Sequence, residues 1–231
     1  MDSKKLQNKV VETALGYVGM QEIRGNLGWT SDAFETKMDS VGWKATHAWC
    51  AYFSELVWSE VYDTYGYASK IDGLFSGSAT KTYRQFEEDG WNVGSVPVEG
   101  AVVIWRHVKD GKASWKGHAG IVIDVKDGYM ETVEGNTNGA GAREGDVVAH
   151  KKRKYRFKVG NGLELVGFIY PVGVKPKTPF LDKEEGDEFR EWANTYHPQV
   201  AKRLDLDKRG SWFNSFITKA WEELGDLYDD K

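Results

Sequence analysis

The sequence predicts an α+β domain followed by a smaller helical unit. Three observations lead there. Up to Gly90 the apolar residues recur at helical spacing, whereas 101–171 reads as β-branched and aromatic runs cut by Gly, Pro and Asp. Helices first and strands afterwards favour α+β over an alternating parallel sheet. Finally, PVGVKPKTP at 171–179 holds three prolines and a glycine, which no regular element tolerates. The expected organisation is a domain at 1–173, a linker at 174–179 and a helical module at 180–231.

Each element has its own reason. Residues 3–18 place Leu6, Val10, Val11, Ala14, Leu15 and Val18 on one helical face. Gln7, Asn8, Lys9, Glu12 and Thr13 interrupt any signal-peptide core, so no secretory signal is expected and synthesis in the cytoplasm is. After the polar loop QEIRGNLGWTSD comes a short helix, DAFETKMDSVG. In HAWCAYFSELVWSEVYDTYG, Trp49, Phe53, Val57 and Val61 make one stripe, widened by Leu56, Trp58 and Tyr62, as in a mostly buried helix. ATKTYRQFEED, 79–89, is the last helix before Gly90. AVVIWRHV, HAGIVIDV, GYMETVEG, DVVAHKKRKYRF and LELVGFIYP then read as strands of an antiparallel meander.

Beyond the linker, Phe189, Trp192, Ala193, Tyr196 and Val200 form one helical stripe, and Trp212, Phe213, Phe216, Ile217, Ala220, Trp221 and Leu224 a second. From 177 onward there are nine basic and thirteen acidic side chains, which accounts for the whole net charge of −4. That asymmetry supports a boundary near 175.

Composition excludes several classes of function. With 231 residues, 40% hydrophobic and 29% charged, the chain suits a globular core and not a disordered one. Its 31 basic and 35 acidic side chains leave no basic tail for nucleic acid. No apolar stretch approaches the ~20 residues that span a bilayer, so no membrane insertion is expected. One cysteine, Cys50, rules out an internal disulfide framework and a zinc site of several thiolates.

That cysteine stands where a nucleophile is wanted. It opens a helix, where unpaired N–H groups and the helix dipole favour the thiolate. His118 lies in GHAGIVI with glycines at 117 and 120, whose small size leaves the imidazole accessible. Asp127-Gly128 signals a hairpin. A three-residue loop, 126–128, would pair Val125 with Tyr129, set His118 opposite Asn136 and leave Glu134 as a diagonal neighbour. A two-residue loop would shift that pairing by one. Cysteine, histidine and a polar orienter are the set that thiol acyl transfer requires. Either Glu134 or Asn136 serves as orienter, with the other left to bind substrate or polarise the oxyanion; the Cys50 N–H is a further oxyanion donor.

AWCAYF around Cys50, GHAGIVI around His118 and TVEGNTN carrying Glu134 and Asn136 resemble the three signature blocks of CHAP domains. These are cysteine, histidine-dependent amidohydrolases/peptidases that cut bacterial peptidoglycan. The EIRGN loop and the strand LVGFIYP agree, so the resemblance spans about residues 5–173. It implies a papain-like fold with Cys50 as nucleophile, His118 as general base and acid, Glu134 as orienter and Asn136 as a fourth member. Some CHAP domains bind calcium through an Asp-rich stretch before the cysteine. Here KMDSVGWKATHAWC has only Asp39, so neither metal nor cofactor is expected.

Other signals point elsewhere. His47 and Cys50 alone are too few ligands for zinc. His107, His150 and His197 read as surface residues. HKKRKYRFK, 150–158, reads as a solvated strand face, with a groove edge for an anionic wall polymer as the alternative. DLDKRG at 205–210 lacks the ligands of an EF-hand loop. Trp43, Trp49, Trp105 and Trp115 are the aromatics expected to line a substrate groove. The combined expectation is a monomeric peptidoglycan amidase or endopeptidase, as in a phage lysin. An antibacterial effector and a non-catalytic wall-binding protein are the alternatives.

Overall fold

The computed structural model describes residues 3–126, 129–137, 145–154, 159–174 and 176. The described fold lies in the unit Met1–Lys175. The module at 180–231, most of the linker at 174–179, His197, Asp127-Gly128, Tyr155 and Phe157 lie outside the described residues.

Four helices precede most of the sheet: α1 Ser3–Gly16, α2 Asp32–Ser40, α3 Cys50–Thr64 and α4 Ala79–Glu88. In α1, Leu6, Val10 and Ala14 are fully buried at four-residue spacing, but Leu15 and Val18 are 44% and 43% exposed. The buried stripe is therefore narrower than the sequence suggested; Val18 lies past the helix end, and Tyr17 fills the position above Phe53 with its ring. Ser31 caps α2 by accepting from the Phe34 N–H, and Ser78 caps α4 by accepting from the Lys81 N–H. Helix α3 is the hub. Phe53, Leu56, Val57, Trp58, Val61 and Tyr62 are all buried, and it packs on α1, α2, α4 and two strands. Among the described residues no helix is long and apolar enough to cross a membrane.

The strands are β1 Val93–Gly94, β2 Val102–Lys109, β3 Lys112–Lys126, β4 Tyr129–Thr137, β5 Val147–Arg153 and β6 Gly162–Ile169. They form one antiparallel sheet in the order β1-β6-β2-β3-β4-β5. A simple meander was expected, and only β2 to β5 follow one. Strand β6 returns to the other side of β2, and the two-residue β1 pairs with it. The reason lies in β2, where Val102, Val103, Ile104 and Trp105 are all buried. A strand apolar on both faces needs neighbours on both edges as well as cover above and below. One face meets the helices through Ile104, Ala119, Ile121 and Val133. The other buries Val103, Trp105, Val122, Met130 and Phe168.

Candidate active site

Cys50 is the first residue of α3, and the residues around Trp49 fix where that helix begins. The Trp49 indole, fully buried, donates to the buried carboxylate of Glu22. In the amide orientation that satisfies both neighbours, Asn136 accepts from the Trp49 N–H at 3.1 Å and donates to the Gly145 carbonyl at 2.7 Å. Asn136 makes this reach from a left-handed backbone, φ 51°. Beside it, a Cβ on Gly135 would lie 2.6 Å from the Trp49 ring and 2.7 Å from Phe53 Cβ. Only glycine lets β4 lie this close to the start of α3.

Opposite Cys50, four strands contribute one row of side chains. His118 on β3 is hydrogen-bonded through Nε2 to Glu134 Oε2 on β4 at 2.8 Å. The Cys50 thiol lies close enough for its charge and that of the imidazole to act on one another. The Trp105 ring on β2, directly across the ladder from His118, stacks on the imidazole with centroids 5.7 Å apart. Glu134 is fully buried and fully used: Thr132 Oγ1 donates to Oε1 at 2.6 Å, Arg153 Nε donates to Oε1 at 2.8 Å, and Arg153 Nη2 donates to Oε2. A Cβ on Gly120 would come within 2.7 Å of Glu134 Cγ, so this glycine opens the path from Glu134 to His118.

The register that unites the row arises differently from the expectation. Lys126 pairs with Tyr129 across two residues, which is the short connection that would have displaced the site. Ile123 is then skipped: Asp124 pairs with Glu131, but Val122 pairs with Thr132. This one-residue bulge in β3 restores the offset that a three-residue loop would have given. His118 and Glu134 consequently end on the same face.

The electrostatics follow from burial and pairing. Burial alone would raise the Cys50 thiol, but the His118 charge, its hydrogen bond and the N–H groups of Ala119 and Ala51 outweigh that and lower it. Burial would lower His118; the charge and hydrogen bond of Cys50, then those of Glu134, instead raise it to about 9. For Glu134, too, burial opposes ionisation, and hydrogen bonds from Arg153 and His118 overcome it, holding the carboxyl well below the usual carboxylate range. The arrangement favours a thiolate facing an imidazolium.

Comparison with known families meets this geometry directly. Residues 41–136 match the CHAP domain. No curated protein and no solved structure matches the chain. The CHAP match implies a cell-wall amidase or peptidase, typically a cysteine-dependent amidohydrolase, with peptidoglycan as substrate. Cys50, His118, Glu134 and Asn136 all fall inside the CHAP segment, whereas Glu22 and Arg153 fall outside it.

Several expectations are corrected by the structure. The glycines beside His118 do not expose it: the imidazole is 3% exposed, because Gly120 admits Glu134 and Gly117 admits α4 through Thr80. Between the two candidate orienters, Glu134 holds the imidazole, and the Asn136 amide is spent on backbone. Trp43, Trp49 and Trp105 are core side chains and do not line an open groove; of the four tryptophans considered, Trp115 alone is exposed, at 81%. It sits in a bulge of β3 between Ala113 and Gly117. The basic run is not uniformly solvated, since Arg153 turns inward onto Glu134. His150 is exposed, as expected, and pairs there with Glu131 Oε2 at 2.7 Å; His47 stacks on Tyr52. Arg153 and Glu22 escaped the sequence reading; strand alternation within the basic run was the signal available for Arg153. A cavity of about 440 Å³ flanked by Arg106 and Glu164 contains none of the row.

Proposed function

We propose that this chain hydrolyses an amide bond of peptidoglycan through Cys50. The placement of Cys50 beside His118, whose imidazole is in turn hydrogen-bonded to Glu134, supports this reading most directly. The Cys50 thiolate attacks the carbonyl carbon, and the C–N bond breaks as the His118 imidazolium passes its proton to the departing amine. The acyl group then sits on sulfur as a thioester. His118, now neutral, takes a proton from water as the water attacks the thioester; the acid leaves, and the thiolate and imidazolium are restored. Glu134 holds the ring and its tautomer, and the Cys50 N–H at the helix start stabilises the oxyanion. Asn136 keeps that helix start in place through Trp49.

The bond is either that between N-acetylmuramic acid and L-alanine or one within the peptide. The molecule acts as a lysin of phage type, made in the cytoplasm of its host and reaching the wall after release. Residues 180–231 serve as its targeting unit, so deleting 177–231 weakens binding to whole cells and spares cleavage of soluble fragments. Digestion of purified walls of several chemotypes, with fragment masses and new amino termini identified, tests the function. New amines of one defined kind are expected and name the bond; walls bound but left uncut by the wild-type protein would contradict the enzyme reading.

A further inference from the structure

Arg153 lies outside the CHAP match and has no part in the steps above, yet it makes two contacts with the row. It grips both oxygens of Glu134, and its guanidinium carbon lies 5.7 Å from the centroid of the Trp105 ring that stacks on His118. The sheet brings it there by register: Met130 pairs with Arg153 and Thr132 with Lys151, so both basic residues share the face of β4 that carries Glu134. Arg153 and Glu134 are the bidentate pair for which a guanidinium is suited and an ammonium is not.

We propose that Arg153 is a positioning and charge-balancing residue: by neutralising the buried Glu134, it allows the site to hold Cys50 and His118 as an ion pair.

The argument is one of charge in a dry place. Cys50 is 6% exposed, His118 3% and Glu134 0%. A thiolate, an imidazolium and a carboxylate together carry one net negative charge, which burial opposes. Without a fourth charge, the neutral solution is a protonated thiol beside an imidazolium–carboxylate pair, with no nucleophile. Arg153 changes that balance, because a carboxylate already paired with a guanidinium leaves the imidazolium free to stabilise the thiolate. The other groups facing Glu134 are Thr132, which is neutral, and Lys151, a second cation on the strand of Arg153; burial lowers the Lys151 ammonium, against the opposing charge of Glu134, and so does the charge of Arg153. Arg153 Nη2 and His118 Nε2 meet at the same oxygen, Glu134 Oε2, and the Trp105 ring lies beside the guanidinium and stacks on the imidazole.

The inference rests on the thiol mechanism, but its test does not depend on the substrate. The rate of Cys50 alkylation by iodoacetamide, followed against pH on the full chain, reports the thiolate directly. Wild type should alkylate with a midpoint below that of a free thiol. Arg153→Gln should move the midpoint up by about one pH unit or more, and Arg153→Lys should recover only part of the shift, since it restores charge without the two-pronged grip. Glu134→Gln should not raise the midpoint. Above all, Glu134→Gln combined with Arg153→Gln should return it towards the wild-type value, because both charges leave together. A merely structural role would make the double variant at least as disturbed as Arg153→Gln alone, and that outcome would overturn the proposal. An unchanged midpoint in Arg153→Gln would do the same. Should Arg153→Gln not fold, the lysine and double variants still decide it. Failure to digest walls, with these midpoints as expected, would count against the substrate and not against Arg153.

Discussion

At the scale of single residues, the site depends on close approaches that only particular side chains allow. Gly135 is one of them: an alanine there would drive its Cβ into Trp49 and Phe53. Overpacking of this kind costs about 1–3 kcal/mol. Gly135→Ala should therefore lower the urea midpoint by a corresponding amount, and it should lose more activity than stability, because Trp49 directly precedes Cys50. His118 gives the pH dependence. Its folded value is raised to about 9 from an ordinary 6.5, so the stability it contributes is fully present below the ordinary value and lost as pH rises through about 9. The alkaline limb of kcat/KM on soluble wall fragments should fall through the same range, as a property of the coupled pair with Cys50. A limb centred near the ordinary histidine value would contradict the pairing.

At the scale of elements, helix positions were legible and strand registers were not. The segments DAFETKMDSVG and ATKTYRQFEED, the latter ended by Gly90, correspond to α2 and α4, and the central stripe of α3 is plain in Trp49, Phe53, Val57 and Val61. Cys50 and His118 stood out because their types and local settings carry the chemistry. The orienter did not, because Glu134 and Asn136 differ only in register, and register here is set by a bulge at Ile123 that no local residue signals. Arg153 was hidden for a related reason: in a run of basic residues, only the partner strand decides which ones turn inward. The bulge makes a test. Inserting one residue between Ile121 and Val122 changes the offset of His118 against β4 and sends its side chain to the opposite face, so activity should vanish. Inserting one between Lys126 and Tyr129, beyond the bulge, should leave most of it. Equal loss in both, with folding intact by circular dichroism, would show that this register does not position the site.

At the scale of the whole molecule, the sheet is assembled around a strand that cannot be an edge. Strand β2 is apolar on both faces, which draws β6 back across from the end of the domain and closes the side of the sheet away from β3 and β4, which carry His118 and Glu134. Chain order alone pointed to a meander, because sequence neighbours usually pair and the burial of β2 on both faces becomes visible only in three dimensions. The consequence for function is rigidity: Trp105, on that interior strand, backs His118, and α3 delivers Cys50 from the opposite layer. Hydrolysis should therefore rest on a single sulfur atom held in a preformed setting. The most direct test compares wild type with Cys50→Ala on the same purified peptidoglycan, reading the amines released per enzyme after both proteins are shown to be folded. Release by wild type and none above background by Cys50→Ala is the expected result; comparable release by the two would contradict the thiol mechanism.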